Sequence, residues 1–106
     1  MDVIYLKGVA MSVLVDFSIF PVDKGSSVSA YVSRVVQVIR ESGLAYQVGP
    51  MGTCIEGPWS EVMTVVDRCF KTLEADSDRI YLTIKGDFRR GSSGRIESKV
   101  KAVGGA

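Results

Sequence analysis

The stretch "LAYQVGPMGTCIEG", Leu44 to Gly57, sits between two segments of helical periodicity and decides how the chain folds. Leu44 to Val48 reads as a strand, "GPMG" as a turn, and "TCIE" from Thr53 as the antiparallel partner strand. Three glycines and a proline between Gly49 and Gly57 suit a tight reversal of the backbone. The same richness in glycine also suits a place where a ligand comes close to the main chain, so the hairpin carries a functional question with the structural one.

Upstream, "SVLVDFSIF" (Ser12 to Phe20) alternates: Val13, Val15, Phe17 and Ile19 share one face, and Asp16 and Ser18 share the other. Pro21 closes this strand, and "VDKGSS" is a loop. A helix follows over Val28 to Ser42, capped by Ser26 or Ser27. Val28, Val32, Val35 and Ile39 line its apolar stripe, Tyr31, Val36 and Val38 widen it, and Gly43 ends it. Downstream of the hairpin, Pro58 suits the first turn of a second helix. Trp59, Val62, Met63, Val66, Cys69, Phe70 and Leu73 recur along it at i, i+3, i+4, i+7 and are expected in the core. After the turn "ADSD", where Asp78 and Arg79 suit capping or turn roles, "RIYLTIKGDF" alternates again. Ile80, Leu82, Ile84 and Phe88 oppose Arg79, Tyr81, Thr83, Lys85 and Asp87. "RRGSSGR" reads as a flexible basic linker, and Ile96, Val100 and Val103 mark a short third helix ending in "GGA". "GSSG" lacks the Lys and Ser/Thr of a phosphate loop.

Strand, helix, strand, strand, helix, strand is the order of an α+β, ferredoxin-like βαββαβ sandwich, an antiparallel sheet with two helices on one face. Residues 1–10 are expected to be an extension or a short extra edge strand, with Met11 an alternative start, and 11–106 a single domain. The other sheet face is expected to carry Asp16, Ser18, Thr83, Lys85 and Asp87 with Leu14, Phe20 and Tyr81, and Ile55 as a further candidate. A face that mixes fixed polar groups with apolar ones packs on a partner or holds a ligand more often than it stays solvated.

Composition narrows the chemistry. The chain has 106 residues, 46% of them apolar, with 13 Lys and Arg against 12 Asp and Glu, so no global field favours nucleic acid or an anionic membrane. Runs such as "AMSVLV" fall far short of the roughly 20 residues of a membrane span, no signal-type leader is evident, and the cytoplasm is the default compartment. Cys54 and Cys69 do not form a Cys-x-x-Cys pair and are expected to be reduced structural thiols. Histidine is absent, which removes Ser-His-Asp triads and His-based zinc sites. An RNA-recognition module would need paired aromatics and a basic glycine motif where "VDFSIF" and "TCIEG" stand. An acylphosphatase-like enzyme would need an arginine where "FPVDKGSS" has a lysine. A small-molecule binding or regulatory module remains.

"FSIFPVDKGSSVSAYV", "GPMGTCIEG" and "DRIYLTIKGDFRRG" together resemble the thiamine-binding protein family of small ferredoxin-like proteins, from about Met11 to Val103. The resemblance implies a subunit that pairs strand to strand into dimers, with dimers stacking sheet on sheet into a homotetramer. It implies non-catalytic binding of thiamine or its hydroxymethylpyrimidine part in polar pockets enclosed by those sheets, with no cofactor. On that basis Ser18, Thr53 and Thr83 would supply donors and acceptors for an aminopyrimidine, and Asp16 or Glu56 a carboxylate for the thiazolium cation. Lys85 would join the ligand site, or else Lys85 and Asp87 would serve in an interface ion pair or on a solvated face. Thr53 and Glu56 fall on opposite faces of a regular strand, so both reach one pocket only through a bulge or across a subunit interface. The alternative is a structural or regulatory oligomeric interaction module without a ligand. Catalysis would have to rest on Asp16, Glu56 or Lys85.

Overall fold

The structure, a computed structural model, describes residues 5–6, 9–10, 12–26, 28–91 and 94–104. In chain order the elements are β1 (Tyr5–Leu6), β2 (Val9–Ala10), β3 (Val13–Pro21), α1 (Ser29–Glu41), β4 (Ala45–Val48), β5 (Thr53–Gly57), α2 (Trp59–Glu74), β6 (Ile80–Phe88) and α3 (Arg95–Ala102). Met11, the expected cap Ser27, Ser92 and Ser93 of the linker, and the end of the "GGA" tail lie outside the described residues. Strands β1 and β2 pair with each other and do not join the main sheet, whose order is β4-β5-β3-β6 with every pairing antiparallel. From β3 on, the elements follow the expected βαββαβ order, and α3 adds the short last helix.

The long central strand β3 sorts the side chains. Val13, Val15, Phe17 and Ile19 turn to the helices and are buried, while Leu14, Asp16, Ser18 and Phe20 turn away. Its register on β5 sets Ile55 opposite Val15 and Thr53 opposite Phe17, so both lie on the helix face. Ile55 is fully buried there, which corrects its expected place on the open face. Helix α1 adds Val35 and Ile39, and α2 adds Val62, Val65, Val66, Cys69 and Leu73, to one core. Full burial of a side chain such as Ile39 or Leu73 contributes about 1.5–3 kcal/mol over leaving it exposed. Glycine closes α1: Gly43 adopts φ +77° just past the last turn, a left-handed conformation that L side chains avoid.

Two sequence expectations for the core fail for reasons of reach. Trp59 opens α2 and is 62% exposed, because the apolar stripe turns onto the sheet only from Val62. Strand β6 is an edge strand, and the helices pack chiefly on β3, β5 and β4. Leu82, Ile84 and Phe88 therefore remain 39%, 43% and 51% exposed on the face that their alternation marks as inner. Val28 stands at the N-cap of α1 and supplies no side-chain cap, so the described Ser26 does not hold that position, and the capping expected of Ser27 falls outside the described residues.

Helix α3 docks on the open face of the sheet, opposite α1 and α2. Its first turn is held by Glu56, only 4% exposed, whose carboxylate accepts from the backbone N–H of Arg95 at 3.0 Å and of Ile96 at 3.4 Å. A carboxylate at a helix N-terminus meets both the unpaired amides and the positive end of the dipole. The Arg95 guanidinium, itself buried, donates to the Asp87 carbonyl at 3.2 Å and pairs with the Asp87 carboxylate, which Lys99 approaches at 3.3 Å. Truncation by Glu56→Ala strands these amides and is expected to cost about 1–3 kcal/mol. Hydrogen exchange at Arg95 and Ile96 should speed while that at Val15 stays slow; unchanged exchange at Arg95 would show that Glu56 does not hold the helix. Arg95, and then Lys99, hold the Asp87 carboxyl below its usual value. A carboxyl with a depressed folded pKa contributes stability fully above about pH 4, and the contribution fades as pH falls through the folded value. Acid should thus loosen α3 first, and Asp87→Asn should flatten that pH dependence in the same exchange measurement.

Candidate functional site

The register of β3 against its neighbours arranges the open face in rows. Phe20 faces Tyr81, Ser18 faces Thr83, Asp16 faces Lys85, and Leu14 faces Asp87. On the other side Cys54 stands beside Asp16 and Glu56 beside Leu14, with Gln47 and Ala45 continuing those rows onto β4. Successive rows are about 7 Å apart, the rise of two strand residues. Phe20 and Tyr81 stack with centroids 5.6 Å apart and planes inclined by 22°. Below them come a row of hydroxyls, a row of charge, and the row that α3 covers.

Asp16 is the hub of the charged row. Its Oδ2 lies 3.8 Å from the Lys85 ammonium, and the Cys54 thiol donates to its Oδ1 at 3.7 Å. Burial, and then the neighbouring Asp16 carboxylate, push the Cys54 thiol up, so it stays protonated and serves as a donor. Cys69, in the core, is pushed up to about 12 by burial. Cys54 is therefore not buried as expected; it is half-buried on the open face of the sheet.

Asp16, Ser18, Thr83 and Lys85 come together as the sequence suggests. Glu56 shares their face, but both its oxygens are committed to α3. Thr53 is buried on the opposite side of the sheet, where it lines a cleft of about 330 Å³ between α1 and the hairpin with Phe17, Val32, Val36 and Met51. Strand β5 carries no residue that brings Thr53 and Glu56 to one side. Cys54 and Gln47 were missed. The two-residue step from Glu56 marks Cys54 as a neighbour on its face, whereas Gln47 enters the row only through the hairpin register.

The "GPMG" loop is built by close approach. The Gly49 N–H donates to the Gly52 carbonyl at 2.8 Å, and a Cβ on Gly52 would lie 3.1 Å from the Phe17 carbonyl oxygen and 3.2 Å from Asp16 Oδ1. Beside the loop, on the open face, a cavity of about 360 Å³ is lined by Asp16, Gln47, Val48, Met51, Gly52 and Cys54. Gly52→Ala must displace either β3 backbone or the Asp16 carboxylate. A net loss of about 1 kcal/mol is expected, overpacking of about 1–3 kcal/mol offset by a stiffer unfolded chain. Chemical denaturation checks this, and an unchanged midpoint would mean that the loop yields freely.

Residues 15–104 match the family model described as "Thiamine-binding protein". A UPF0045 protein of Mycobacterium bovis is 42% identical over 94 residues, covering 88% of this chain and 92% of that protein. The solved structure of a Methanocaldococcus jannaschii protein superposes with TM-score 0.83 at 33% identity, over 91% of this chain and 99% of its own. A Thermotoga maritima protein, named as a candidate thiamine biosynthesis/salvage protein, superposes with TM-score 0.75 at 28% identity, over 87% and 98% of the two chains. With the βαββαβ sheet order, the polar rows and matches that span nearly the whole chain, this protein belongs to the thiamine-binding protein family.

Proposed function

We propose that the protein binds thiamine, or its hydroxymethylpyrimidine part, on the open sheet face without catalysing a reaction. The observation that carries this is the concentration of ligand-type groups there: the Ser18 and Thr83 hydroxyls and the Asp16 carboxylate, next to the Phe20–Tyr81 ring pair. Asp16 offsets the charge of a thiazolium, since Glu56 is committed to α3. Thr53 takes no part in this site, and Lys85 modulates it as a competing cation at the same carboxylate.

We assign the remaining walls of the site to further copies of the chain. Strand β6 offers a nine-residue edge with Leu82, Ile84 and Phe88 uncovered, the type of edge that proteins pair or shield. Edge pairing with sheet-on-sheet stacking gives the homotetramer that encloses the face. Free cysteines at Cys54 and Cys69 accord with a reducing, cytoplasmic setting. Among the described residues no helix is long and apolar enough to cross a membrane. The same uncovered strand also favours a second function, an oligomeric interaction module, which predicts a stoichiometric protein partner and no ligand.

Titration calorimetry separates the two. Thiamine should bind saturably; Ser18→Ala should weaken it several-fold, and Asp16→Asn about tenfold, the loss of one charged contact. Lys85→Ala should strengthen it. No heat with thiamine, its phosphates or the free pyrimidine at millimolar concentration would end the binding function, and light scattering would report the oligomer mass.

A further inference from the structure

We propose that the pyrimidine ring of the ligand sits in the cavity beside the hairpin, with the Gln47 carboxamide reading its hydrogen-bonding edge; this rests on the thiamine-binding function proposed above. Gln47 stands at the end of the charged row, cross-strand from Cys54, on the open face. It lines the cavity, and its side chain makes no hydrogen bond to the described residues. A carboxamide presents one donor and one acceptor side by side in a plane. A 4-aminopyrimidine presents the complement, an amino donor beside a ring-nitrogen acceptor, and this is the pairing by which Gln or Asn reads adenine. A lone hydroxyl such as Ser18 or Thr83 meets only one of those two groups at a time.

The walls suit the ring. Val48 and Pro50 are apolar, and the Met51 thioether is flexible and polarizable, a good partner for an aromatic face. At about 360 Å³ the cavity lies within the ordinary range for small-molecule sites. The spacing suits the rest of the ligand. Gln47 and Asp16 are separated by two strand spacings, about 10 Å, with Cys54 between them. A molecule of two rings joined through one carbon spans that distance, so its cationic ring reaches Asp16 when its pyrimidine meets Gln47. There it takes the place of the Lys85 ammonium, which holds Asp16 only loosely at 3.8 Å. The thiol of Cys54, turned to Asp16 as a donor, leaves the floor between the two rings without charge.

The test uses the full chain, titrated with thiamine and with the uncharged hydroxymethylpyrimidine. Gln47 is exposed on an edge strand, so Gln47→Met keeps the fold and the side-chain length while removing both hydrogen-bonding groups. It should weaken both ligands by the same factor, about tenfold for a lost bidentate pair. Asp16→Asn should weaken thiamine about tenfold and leave the pyrimidine within about twofold, because only thiamine carries the cation. If Gln47→Met leaves pyrimidine affinity unchanged, the placement is overturned. If Ser18→Ala weakens the pyrimidine in that case, the ring lies at the centre of the face and the binding function stands. Absence of binding by the wild-type chain to either ligand overturns both.

Discussion

Everything on the open face follows from how β3 is clamped. Nine consecutive residues are paired with β6 on one side, and five of them, Val13 to Phe17, with β5 on the other, so those five have their faces assigned by two ladders and the rest follow by alternation. A slip by one residue against either neighbour would send Val13, Val15, Phe17 and Ile19 into water and Asp16 and Ser18 into the core. The core therefore enforces the site: burial of four apolar side chains fixes the direction in which a carboxylate and a hydroxyl point. This division of labour lets a small domain present polar groups without burying them.

Much of this was legible in the sequence. The alternation in "SVLVDFSIF" and "RIYLTIKGDF" suffices to place Asp16, Ser18, Thr83 and Lys85 on one face, since a period of two leaves no freedom. Helix α2 was equally plain from its stripe. What alternation cannot report is the width of the helical layer. Leu82, Ile84 and Phe88 carry the pattern of a buried face, yet whether a strand lies beneath helices depends on its place in the sheet, and β6 lies at the edge.

Glu56 illustrates a second limit. Its residue type and position fit a cation-binding carboxylate, and only the docking of a helix nearly forty residues downstream diverts it to a structural role. Thr53 was separated from it by strand geometry alone. Ile55, placed with the open face as a candidate, belongs to the core because its partner Val15 does. The apolar surroundings of Cys54 in sequence suggest a core thiol, whereas its cross-strand neighbour is Asp16. For Glu56, Ile55 and Cys54 the missing information was a partner distant in sequence.

Strand β6 supplies one member of every row on the open face, yet all but its first residue are exposed. Gly86, two residues before its end, adds no side chain to hold it down; a Cβ there would reach Val15 and Val13 only at 3.8 and 4.0 Å, ordinary contact distances. A strand with exposed side chains and a glycine within it opens at lower free-energy cost than the strand beside it. A molecule that bridges Asp16 or Ser18 on β3 to Thr83 on β6 therefore acquires a second effect besides occupancy. It would quench local opening of the outer strand, so that the presence of a small ligand would be converted into order along an edge.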